Sequence, residues 1–179
     1  TQALKAQSDY MHQQYNEALR IVEDARKNNR MVILLACRPY HIDPLIQHKV
    51  ADCISDMGID VITENIANFG QEDMYSHMHS ITQWAYPNRI FKAANYVANS
   101  SDNIHFVELT SFGCGPDAFI LDEVAAILNR KGKNLTLLKI DDVNNIGSLP
   151  LRVRSMVESL KFSRQEKLDK PYITTPPFT

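Results

Sequence analysis

Cysteine is scarce in this sequence: three residues, at positions 37, 53 and 114, with no C-x-x-C pair. That odd count and those spacings argue against a disulfide framework and against a structural zinc knuckle. Long apolar runs are missing too. None approaches the roughly 20 residues needed to span a bilayer, and no signal-peptide pattern opens the chain. An excess of positive charge is also lacking. Nineteen basic residues face 21 acidic ones, for a net charge of −2, so no basic stripe exists to neutralise a row of phosphates. Glycine is sparse, with six in 179 residues. The chain contains no G-x-G-x-x-G, no P-loop, no G-x-S-x-G and no H-E-x-x-H, which leaves the common nucleotide, hydrolase and zinc-protease readings without their usual support. The expected setting is the reducing cytoplasm, with neither nucleic acid nor membrane as partner.

What is present suits a folded domain: 44% apolar and 22% charged residues, enough to bury a core and too apolar for disorder. Apolar residues at helical spacing (Met11, Tyr15, Ala18, Leu19, Val22, Ala25) predict an amphipathic helix over 9–28, closed by Asn28-Asn29. Met31–Ala36 is a continuous apolar run, the pattern of a strand buried on both faces. Asp43 before Pro44 reads as a helix start, with Ile46, Val50, Cys53, Ile54 and Met57 on one face and Gly58 ending it. A second strand is expected over 59–62, while 63–87 resist assignment. A helix follows over 89–100 and a third strand over 104–109. Another helix starts near Pro116 and ends at Gly132. A fourth strand is expected over 135–140, then a last helix carrying Leu149, Val153, Met156, Val157 and Leu160. Alternating strands and helices imply a doubly wound α/β fold with a four-stranded parallel sheet, in the flavodoxin-like order 2-1-3-4. The domain is expected to span 1–161, with 162–179 an extended tail or linker to a further module.

In such sheets ligands sit beyond the carboxyl ends of the strands, at the switch point between the first and third. The loops there are 37–44 and 110–117. In Ser111-Phe-Gly-Cys-Gly-Pro-Asp117, Gly113 and Gly115 allow a sharp bend, and the following helix points free N–H groups back at Cys114. That favours a thiolate, as nucleophile or metal ligand. The alternative is a tight turn with a packed thiol. Cys37 ends the first strand on the same rim, whereas Cys53 reads as core. Arg38, His41 and His48 could hold a phosphate or carboxylate, or Arg38 could pair with a nearby acid. His77 and His79 do not form a convincing metal pair.

The strings Arg38-Pro-Tyr-His-Ile-Asp-Pro44, Gln83-Trp84, Ser111-Phe-Gly-Cys-Gly-Pro-Asp-Ala118 and Leu138-Lys-Ile-Asp-Asp142, with Arg152 and Arg154-Ser155 beyond, resemble one family. It comprises large bacterial proteins of the 2-hydroxyacyl-CoA dehydratase activase and activase-related group. The resemblance implies a module similar to the dehydratase subunits, working with other modules of one polypeptide and with an acyl-CoA substrate. ATP would be used only in a separate activase module. It also implies a 4Fe–4S cluster shared between modules, for which Cys114 matches the motif cysteine and Cys37 is a second candidate. Arg38, His41, Gly113, Gly115 and Asp117 would line the ligand side. Two other readings remain open: a metal-free docking domain, and a thiol enzyme using Cys114 with His41 as base. Taken alone, the module is not expected to turn over substrate.

Overall fold

The computed structural model describes residues 2–43, 46, 49–69, 84–111, 115–140 and 148–169. Four parallel strands form one sheet: β1 (Val32–Ala36), β2 (Asp60–Thr63), β3 (Ile104–Ser111) and β4 (Leu135–Ile140), in the order β2-β1-β3-β4. This is the expected 2-1-3-4 arrangement. Among the described residues five helices accompany it: α1 (Gln2–Lys27), α2 (Val50–Ser55), α3 (Ala85–Ala98), α4 (Gly115–Asn129) and α5 (Ser148–Asp169). Short 3-10 turns at Pro39–Ile42 and Glu64–Ala67 follow β1 and β2.

The period-2 alternation of a strand sorts the core into two layers. Val32, Leu34 and Ala36 join Ile62 and Phe106 under α1, α3 and α4. Ile33, Leu35 and Cys37 join Val107, Leu109 and Leu138 under α2 and α5. Both faces of β1 are therefore covered, which explains its continuous apolar sequence. Phe106 lies on central strand β3 and is 1% exposed. Phe106→Ala is expected to cost about 3–5 kcal/mol, read as a lower urea midpoint at unchanged slope.

Three helix ends need a left-handed residue. Asn29, Gly58 and Gly132 supply it at φ 52°, 75° and 69°, each after the helix that the sequence pattern ends there. Other boundaries differ from expectation. α1 starts at Gln2, because residues 2–8 are mostly good helix formers even though they bury nothing. The helix expected from Pro44 is only six residues long. The 3-10 turn takes up Pro39–Ile42, and Lys49 at φ 58° breaks the path into α2. Ile46 is accordingly exposed instead of packed. α5 runs on to Asp169 past the expected end at 161. A Glu158–Lys161 ion pair and a bond from Arg164 Nη2 to the Asn29 carbonyl at 3.0 Å support this polar extension.

Candidate functional site at the carboxyl rim

β1 and β3 are hydrogen-bonded neighbours, so the chain leaving β1 at Cys37 runs beside the chain leaving β3 at Ser111. Arg38 reaches across this junction into the first turn of α4. Its Nε and Nη2 each lie 2.6 Å from Asp117 Oδ1. Thr110 Oγ1 donates to the other carboxylate oxygen, Oδ2, at 2.7 Å. Asp117 is 2% exposed, and an acid in the first turn also suits the helix dipole. Of the two alternatives for Arg38, the acid partner is the one observed. Any anion bound here must share this guanidinium with Asp117.

His41 is 1% exposed, with Nε2 3.2 Å from Ser111 Oγ and its ring edge-on to Tyr40. Nδ1 has no partner among the described residues. Burial pushes the imidazole below its ordinary range; the Asp117 charge opposes this and the Arg38 charge reinforces it. That shift favours the neutral imidazole, the form able to accept a proton.

Two acids that the motif reading did not single out complete the rim. Glu108 on β3 stands opposite Ala36 in the register, is 1% exposed, and has no partner for either carboxyl oxygen among the described residues. Burial raises its pKa to about 8, with Asp117 adding to the rise and Arg38 opposing it. Glu108 is thus largely protonated at neutral pH. Glu64 follows the last residue of β2, is 2% exposed, and meets Arg89 Nη2 of α3 at 3.1 Å. Burial moves its carboxyl upward too, against the Arg89 charge. The sequence did hold a signal for Glu108: a carboxylate flanked by Val107 and Leu109 in a mostly buried strand.

Cys37, the second candidate ligand, packs inward from the end of β1. It is 5% exposed in the core layer beneath α2 and α5. Burial pushes the thiol up to about 12, with the Glu64 charge adding to this and Arg89 opposing it. With no metal beside it, a thiol so buried stays protonated. Iodoacetamide at pH 8 should modify half-buried Cys53 well before Cys37, as mass spectrometry of the peptides would show. Comparable rates would contradict the burial.

Gly115 opens α4 and is exposed. Cys114, Gly113, His48, His77, His79, Gln83, Asp141 and Asp142 lie outside the described residues. Arg152 and Arg154 are exposed on α5. Among the described residues, no group of three or more His, Cys, Asp or Glu side chains could hold a metal ion. No described helix is long and apolar enough to cross a membrane.

The class defined by this geometry is a flavodoxin-like, doubly wound α/β module with a buried polar cluster at its switch point. Residues 1–66 match the family model for a CoA enzyme activase uncharacterised domain. The activase-related resemblance therefore holds across α1, β1, α2 and β2. No curated protein matches the chain.

Proposed function

We propose that this module works within a 2-hydroxyacyl-CoA dehydratase/activase-like redox protein, with the carboxyl rim of its sheet as the face toward other modules and an anionic ligand. The observation that carries this is the activase-domain match over residues 1–66, which includes β1 and the Arg38–His41 turn. The chain does not fit a 4Fe–4S cluster of its own. Such clusters take about four thiolate ligands. Only three cysteines exist, Cys37 is a buried neutral thiol, and Cys53 packs from α2 against the core. In this proposal Cys114 supplies one ligand to a cluster held mainly by other modules, and Arg38 and His41 face the acyl-CoA or another anionic group.

Anaerobic reconstitution of the whole polypeptide with iron and sulfide tests the assignment. A visible cluster band that Cys114→Ser abolishes or shifts, and that Cys37→Ser leaves intact, is the expected result. A band unchanged by Cys114→Ser removes Cys114 from the ligand set. Equal association of both forms with the other modules would then favour the metal-free docking reading.

One observation favours a second reading, thiol chemistry at Cys114. His41, pushed toward its neutral form by burial, lies within hydrogen-bond distance of Ser111, three residues before that cysteine. Alkylation of Cys114 that is fast at neutral pH and slows in His41→Ala would support it.

A further inference from the structure

A cavity of about 490 Å³ opens at the opposite edge of the sheet, where β3 and β4 begin. That volume falls in the range of about 300–1,000 Å³ typical of small-molecule sites. Its walls come from the end of α1, the start of β3, the approach to β4 and the final turns of α5. The extension of α5 beyond residue 161 thus builds part of it.

Three cations line this cavity, Arg26, Lys133 and Arg164, against one carboxylate, Asp102. Arg26 and Arg164 have no carboxylate partner among the described residues. Arg164 is held in place through Nη2, which bonds both the backbone carbonyl and the side-chain oxygen of Asn29. Its remaining N–H groups have no partner among the described residues. The Lys133 ammonium is anchored on the carbonyls of Ser100 and Ser101, at 2.9 and 2.7 Å. Two of the three cations are therefore positioned before any ligand arrives, which lowers the ordering cost of binding. A concave, partly enclosed surface with an uncompensated charge of one sign concentrates counter-ions. The two guanidinium charges of Arg26 and Arg164 match the roughly −1.5 to −2 of a phosphate monoester at pH 7. Ser159 and Ser163 offer hydroxyls for a polar ester group, beside an apolar wall at Leu160.

We propose that this cavity is a binding site for a small phosphate monoester, separate from the carboxyl rim. Arg164 and Arg26 grip the phosphate, and the α5 serines face the organic part. Planar guanidinium groups suit phosphate oxygens better than a point charge does.

Calorimetric titration of the protein with glycerol 3-phosphate, and separately with inorganic phosphate, tests the proposal, with amide NMR shifts locating each ligand. The expected result is saturable binding of glycerol 3-phosphate, tighter than inorganic phosphate, with shifts confined to 26–29, 101–106, 133–136 and 159–164. Arg26→Gln breaks no bond among the described residues and should leave the melting temperature unchanged, while weakening binding about tenfold. Arg164→Gln should weaken it further. No saturation at millimolar ligand, equal affinity in both variants, or shifts centred on 37–43 and 108–117 would each overturn the assignment.

Discussion

Raising the pH from about 5 to 9 is expected to remove on the order of 4 kcal/mol of folding stability through Glu108 alone. The carboxyl holds its proton in the folded protein up to about pH 8, against an ordinary value of 4.5. Between those values the unfolded chain releases a proton that the folded one keeps. Stability from this group is therefore complete below pH 4.5, falls as the pH climbs, and is lost once the folded carboxyl ionises near 8. Glu64, raised by its own burial, tilts the curve the same way, so a smaller slope remains without Glu108. Urea unfolding of wild type and Glu108→Gln across this range measures the effect. The glutamine variant should be much flatter and should overtake wild type at the alkaline end. Parallel curves would show that Glu108 finds a partner that keeps it ionised.

The second large effect is expected at Asp117. Its carboxylate takes Arg38 on one oxygen and Thr110 on the other, and it is almost fully buried. Removing one partner of a buried ion pair strands the other charge in a poorly solvated place, a loss of about 3–5 kcal/mol. Asp117→Asn keeps the shape, so the lower end of that range is expected. Arg38→Met with Asp117→Leu should recover most of the loss, because an apolar pair leaves no charge stranded. Asp117→Asn should also lower the titration midpoint of Glu108, since the Asp117 charge helps raise it and Arg38 opposes it. A stability change within about 0.5 kcal/mol, in the range of ordinary surface substitutions, with an unmoved Glu108 midpoint, would mean the pair is not coupled as described.

The sheet was legible because its signals are local and redundant. The run Val32–Ala36 reads as a strand covered on both faces, and Gly58 and Gly132 mark helix ends that only a left-handed residue can close. The helix boundaries were less legible. Asp43-Pro44 carries a start signal, yet Lys49 adopts a left-handed conformation just before α2, which no propensity anticipates. The polar stretch after 161 looks like a connector by composition. Its first part, as far as Asp169, is helical, with Glu158, Lys161 and Arg164 finding partners on the surface. At the rim, the elements carrying Arg38 and Asp117 were expected together, but their pairing depends on side-chain reach across 79 positions of sequence. Glu108 and Glu64 were passed over because an isolated acid resembles a solvated one until the layers above the sheet are known.

The most direct test of the rim as the working face is hydrogen–deuterium exchange, comparing the module alone with the module joined to the further modules of the proposed redox protein. Slower exchange in the larger protein is expected over residues 37–43 and 108–117, with α1 and the start of β3 unchanged. Protection that falls on α1 or on residues 101–106, and leaves the Arg38 and Asp117 segments untouched, would contradict the account.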